Sequence, residues 1–358
     1  MSLNKVKSLT KLNTVIVETK NEIPKYFITF FYCIHAIYCM DFGFISYKST
    51  RHKIVKKISS ITISFFICAC GFVMMIVYQK VEKKFRPWVV KCLIENLSHV
   101  LILTLTPRSK SFYMFIKNLQ LIDAKFGVNF NSYRLYFQII ICCFVSFLIK
   151  ILSASVFCLF FDDFYCCDFI VSNFMVIIPY MSWDYPLIMF YFVFHGSRLR
   201  LVMLRSFIKE NKFKPTYFQL IYKSLIECTE NAKKAFDPLV SLFQINKYIT
   251  YSQYNAGGYS LVLLSLLMCV LALFVPPLAA ESLSSEVQKI KIILHNKLFE
   301  EKYENLSQDI QRFINYIEDR PFKFNILKII PMDATLPVKI FNLCITYFIV
   351  ILQVTHLY

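Results

Sequence analysis

In "NLCITYFIVILQV", near the C-terminal end of the sequence, Asn342, Thr346 and Gln353 are four and seven residues apart. At about 100° per residue they fall within roughly 40° of one another on a helix, with His356 just beside them. The remaining residues of this run are Ile, Phe, Leu, Val and Cys, with Tyr347. A primary amide in hydrocarbon without a partner is costly. Such a stripe therefore faces a partner helix or a water-filled path. In a water-filled path, neutral amide carbonyls stand in for part of an ion's hydration shell. One helix cannot enclose a pore, whereas several copies around an axis can.

Other polar residues also sit in apolar runs. Lys91, Glu95 and His99 are spaced by four, which fits a local ion pair before it fits a ligand. Lys150 and Asp184 lie deep in their runs, with Tyr180 and Trp183 close to the acid. The stretch "KYITYSQY" carries Tyr248, Tyr251 and Tyr254. Glu95, Lys150, Tyr180, Trp183, Asp184, Tyr251 and Tyr254 are the candidates for a small-molecule pocket. An interfacial aromatic belt explains the tyrosines equally well.

Catalytic chemistry finds no support. The six glycines form no phosphate loop or dinucleotide fingerprint. The six histidines show no metal-ligand spacing, and there is no GxSxG. No catalytic residue, metal site or cofactor is expected. The sequons at Asn96 and Asn305 fall in a span and on the inner side, where they are expected to stay unused.

The elements that position these residues follow from composition. The 358 residues are 57% hydrophobic and 18% charged, against about 45–50% and 25% in soluble domains. That pattern predicts a multi-pass protein in a lipid bilayer. The net charge of +17 would suit nucleic acid in a soluble chain. Here the basic residues concentrate between apolar runs, so no nucleic-acid partner is expected. The first 25 residues lack an apolar core followed by a cleavage site, and no signal peptide is expected. Most of the 13 cysteines lie in apolar runs as small hydrophobes. Cys166 and Cys167 sit in a polar gap, and their spacing is weak evidence for a disulfide.

A spanning helix needs about 20 apolar residues. The spans expected are 58–78, 88–106, 136–160, 169–196, 237–254, 259–281 and 338–357. The segment 237–254 is too polar to pass on hydropathy, and 26–47 is apolar but broken by Asp41 and Gly43. Charge decides between them. If 237–254 spans and 26–47 is an amphipathic lead-in within an inner segment 1–57, then 32 of the 40 lysines and arginines fall inside. The outer loop "FDDFYCCD" carries three acids and no base. The fold class expected is all-α, with seven transmembrane helices and the N-terminus cytoplasmic.

The inner stretches read as long cytoplasmic helical extensions. In 217–236, Phe218, Ile221, Leu225, Cys228, Ala232 and Ala235 recur at helical spacing. In 282–337 so do Val287, Ile290, Leu294 and Leu298, and then Leu306, Ile310, Phe313 and Ile317. Each is an amphipathic helix. Packing between subunits, with Leu294 and Ile310 in the seam, or within one chain would satisfy them.

"TYFIVILQV" resembles the C-terminal signature of insect gustatory receptors: Thr346-Tyr347, five apolar residues, then Gln353 and Phe, with Val354 here in place of that Phe. "FKFNILKIIPMDATL" resembles the segment before the last helix, with Asp333 at the acidic position. "LQLIDAKFGV" resembles the loop between the second and third helices, and "MDFGFISY" the turn before the first. The resemblance implies a taste receptor in the plasma membrane of a sensory neuron. It implies a ligand-gated cation channel built as a homo- or heterotetramer with other gustatory receptors, the cytoplasmic helices forming an intersubunit anchor. Asn342, Thr346, Ile349, Gln353 and Val354 would line the pore or its gate, and the outer helical halves would hold a tastant. The sugar-receptor branch has Glu after Thr-Tyr; Phe348 stands there in this chain, which implies a non-sugar, bitter-type tastant. The alternatives are a G-protein-coupled receptor, whose Asp-Arg-Tyr and Asn-Pro-x-x-Tyr motifs are absent, and a transporter, whose internal repeats are absent.

Overall fold

The computed structural model describes residues 23–38, 62, 65, 69, 111–126, 132–160, 166–210, 214–251, 259–326, 330–339, 342, 345, 346, 349, 350 and 353. The described chain is nearly all helical. Its order is α1 (Lys25–Tyr38), α2 (Ser111–Phe126), α3 (Ser132–Phe160), α4 (Cys166–Lys209), α5 (Pro215–Tyr251), α6 (Tyr259–Glu300) and α7 (Glu304–Asp319). A two-residue hairpin follows, β1 (Asn325–Ile326) antiparallel to β2 (Ile330–Pro331). Residues 336–339 then begin a helical segment in which Asn342, Ile345, Thr346, Ile349, Val350 and Gln353 are all helical.

Three helices are longer than hydropathy marked. The expected span 169–196 runs on without a break to Lys209, and 259–281 runs on to Glu300. The expected inner helix 217–236 and span 237–254 are one helix, α5. The helices continue past the ends that hydropathy marks, even through residues that remove a backbone donor: Pro238 in α5 and Pro276 and Pro277 in α6. Among the described residues one segment, Asp184–Lys209, is long and apolar enough to cross a membrane by itself. Spans 58–78 and 88–106 lie outside the described residues, except for Thr62, Phe65 and Ala69, which are helical.

The core is organised by α4, which packs against α3, α5 and α6. Met189, Phe190, Val193, Phe194, Leu201, Leu204 and Ile208 are fully buried. They form one stripe about 29 Å long at 1.5 Å per residue. Facing it, α5 buries Ile221, Tyr222, Leu225 and Ala232, and α6 buries Leu283, Val287, Ile290 and Leu294. The short helix α7 closes this bundle with Ile310, Phe313, Ile314 and Ile317 on its inner face. Glu304 in its first turn suits the positive end of the helix dipole.

These apolar stripes are filled by the chain itself. Leu294 is 0% and Ile310 1% exposed with no second copy present. The two residues therefore belong to the core of one chain, the second of the two packings that their spacing allows. The periodicity identified a buried face, and periodicity carries no information on which chain covers it.

One long face is left uncovered. On α3, Phe137, Ile141, Phe144, Leu148 and Leu152 are 40–60% exposed. They form a row about 22 Å long, and an apolar row of that length does not suit water.

Candidate functional site

The helical segment after β2 carries the predicted stripe. Asn342, Thr346 and Gln353 are exposed, and so are Ile345, Ile349 and Val350. At about 100° per residue these six occupy one arc of roughly 140°, with the two amide residues at its centre. The chain thus leaves one face of this helix open, amide in the middle and aliphatic at the edges. The Thr346 hydroxyl donates to the Asn342 carbonyl at 2.9 Å, so its proton is used within the helix while its oxygen remains an acceptor. Tyr347 and Val354 lie outside the described residues.

Asp333 organises the entry to this segment. Its Oδ1 accepts from the Thr335 backbone N–H at 3.0 Å and from the Thr335 hydroxyl at 2.6 Å. Its carbonyl accepts from the Leu336 N–H at 3.1 Å, and the Thr335 carbonyl from the Lys339 N–H at 3.0 Å. An Asx turn thereby feeds the first helical turn. The Thr335 hydroxyl bond holds the Asp333 carboxyl below its ordinary range.

Of the pocket candidates, Asp184 on α4 is met by α3: the Ser146 hydroxyl donates to Asp184 Oδ2 at 2.8 Å, and Ser146 is 7% exposed. Lys150, Tyr180 and Trp183 lie on these same two packed helices and Tyr251 closes α5, but their side chains are outside the described set. Glu95 and Tyr254 lie outside the described residues. Among the described residues, no group of three His, Cys, Asp or Glu is arranged around a common metal position.

A polar junction that sequence reasoning missed lies where α4 leaves its expected span. Arg200, 1% exposed, meets Asp123 of α2 through two bonds, Nε to Oδ1 at 2.9 Å and Nη2 to Oδ2 at 2.5 Å. Arg200 Nη1 also donates to the Gly196 carbonyl at 3.3 Å. One turn away, Ser197 and Thr229 hydroxyls pair at 2.7 Å, and Thr229 donates to the Leu225 carbonyl. Gly196 permits the close approach, since a Cβ there would come within 3.2 Å of Leu119 Cδ1. Cys228 is buried beside this junction, and burial pushes its thiol up to about 12. Lower down, Glu286 of α6 takes Lys289 at 2.8 Å and Arg205 at 3.0 Å. The Arg205 contact has ion-pair distance without hydrogen-bond alignment. Spacing places Asp123, four residues after Leu119 and seven after Ile116, on the buried face of α2, but gives no sign of its partner.

This long-helix architecture resembles that of a solved insect olfactory receptor. The solved structure of the insect olfactory receptor OR5 from Machilis hrabei matches it with a TM-score of 0.58 at 14% identity, covering 92% of this chain and 99% of that one. The same receptor in complex with eugenol matches with a TM-score of 0.52 at 12% identity and the same coverage. No protein-family profile matches the sequence. No curated protein matches it either.

Proposed function

We propose that this chain is an insect gustatory-type chemoreceptor, a ligand-gated cation channel of the plasma membrane that opens to a small non-sugar tastant. The observation that carries the reading is the open face of the last helix, with Asn342, Thr346 and Gln353 along its centre. It stands in a chain whose fold matches a solved insect olfactory receptor over nearly its whole length. The C-terminal signature Thr346-Tyr347 to Gln353 and the Phe348 that follows Thr-Tyr give the gustatory, non-sugar assignment. The exposed apolar row on α3 supports a lipid-facing wall.

Four chains would bring four copies of the amide stripe to a common axis. In the closed state the amides bond one another and their aliphatic neighbour Ile349 keeps the path dry. In the open state their carbonyl oxygens meet water and monovalent cations, and neutrality makes the selection among cations weak. The tastant binds between α3 and α4, outward of the mid-span contact between Ser146 and Asp184.

The test is whole-cell recording from cells expressing the chain, alone and with a partner receptor, during application of a bitter-compound panel. The reading expects a ligand-evoked cation current that persists when G-protein signalling is blocked. A response abolished by that block favours the G-protein-coupled alternative.

A further inference from the structure

The first helix has a face that stays exposed in the fold. In α1, Phe27, Phe31 and Ile34 are 0–3% exposed. Phe27 packs on Tyr136 of α3 with ring centroids 4.6 Å apart, and Phe31 lies 5.9 Å from Phe112 of α2. At about 100° per residue these three cover one side. The opposite side carries Tyr26 and Tyr32, 47% and 45% exposed, with Thr29 and Cys33 exposed between them. No acid occurs anywhere in this helix, and Lys25 at its start is exposed. An outer face of tyrosines with one lysine and no acid is suited to the headgroup layer, where amphipathic rings sit.

Two further observations say what covers it. The first is continuity: Tyr136, the residue that receives Phe27, immediately precedes the exposed apolar row on α3 that begins at Phe137. α1 therefore packs at the end of α3 where the surface assigned to lipid begins. The second is charge. Residues 1–57 contain ten lysines and arginines against three acids. An inner leaflet rich in acidic lipids attracts such segments by about a kcal/mol per basic residue near the surface.

We infer that α1 is an in-plane membrane anchor whose Tyr26/Tyr32 face and Lys25 bind anionic lipid headgroups of the inner leaflet. The inference rests on the membrane reading above but not on conduction. In this arrangement Lys25 pairs with a lipid phosphate or carboxylate, the tyrosine hydroxyls bond headgroup oxygens, and the rings lie against the upper acyl carbons. The anchor then fixes the inner ends of α2 and α3 relative to the bilayer.

The test uses the full chain in nanodiscs holding equal parts phosphatidylcholine and phosphatidylserine. Tyr32, or separately Phe27, is replaced by photo-reactive p-benzoylphenylalanine, and adducts are identified by mass spectrometry. Position 32 is expected to yield lipid adducts enriched several-fold in phosphatidylserine, an enrichment that falls with added salt and with Lys25→Gln. Position 27 is expected to crosslink within the chain. Protein adducts alone at position 32, from the same chain or a second copy, overturn the inference. Lipid adducts at position 32 without phosphatidylserine enrichment overturn its anionic part. A chain that does not insert into nanodiscs overturns the membrane reading itself, whereas a chain that inserts but conducts nothing leaves the lipid result to stand or fall alone.

Discussion

Replacing Arg200 by Met separates two effects at the α2–α4 junction. The variant leaves the Asp123 carboxylate, 4% exposed, without its guanidinium. Removing one partner of a buried pair costs about 3–5 kcal/mol, because the remaining charge stays desolvated. Replacing both partners by apolar groups of similar volume, as in Asp123→Leu with Arg200→Met, is neutral or stabilising by about 1–4 kcal/mol. If the 358 residues unfold as one unit at about 2.1 cal/mol/K per residue, the single variant melts about 4–7 °C below the native chain. The double variant melts at or above it. Thermal unfolding of the detergent-purified protein, followed by size exclusion, reads all four corners of the cycle. If Arg200→Met melts no lower than the double variant, the two groups are not energetically coupled and the junction is mere proximity.

Epitope tags at each end test the orientation: the N-terminal tag should stain only after permeabilisation and the C-terminal tag on intact cells, and an N-terminal tag visible on intact cells reverses it. Ile310→Asp places an ion in the intrachain core, so it should lower the yield of folded monomer as well as of any oligomer; normal monomer with lost assembly, seen by native gel, would return Ile310 to an intersubunit seam. Asp333 has a lowered folded-state pKa, so its ionised form adds stability that is present above the ordinary carboxylate pKa of about 3.9. That contribution is lost as pH falls through the lowered value. The difference in melting temperature between the native chain and Asp333→Asn should therefore be present at neutral pH and close in acid; a difference that grows in acid contradicts the turn described.

The stripe of the last helix was legible because helical period alone places residues 342, 346 and 353 together. The apolar faces of α5, α6 and α7 were legible for the same reason, and Phe218, Ile290 and Phe313 are all buried where the spacing put them. Helix ends were not legible. The span expected to end near 196 and the residues beyond it belong to one helix, so hydropathy divided what hydrogen bonding keeps whole. Nor was the junction: Asp123 and Arg200 are 77 positions apart, and Arg200 read as one cation in a basic stretch. Ser146, which bonds Asp184 from 38 positions away, is likewise an ordinary polar residue until two helices are laid side by side. Local period fixes which face of a helix is apolar, and only the packing of helices shows what a buried charge meets.

In the proposed channel the face carrying Gln353 lines the cation path. Gln353→Cys, treated from outside with a cationic thiol reagent while ligand-evoked current is recorded, tests it most directly. A cysteine on that face is modified in the open state, and the attached positive charge repels cations, so the current should fall and stay reduced after washout, with the unsubstituted chain unaffected. A conducting Gln353→Cys channel whose current is unchanged by the reagent places this residue away from the ion path and contradicts the account.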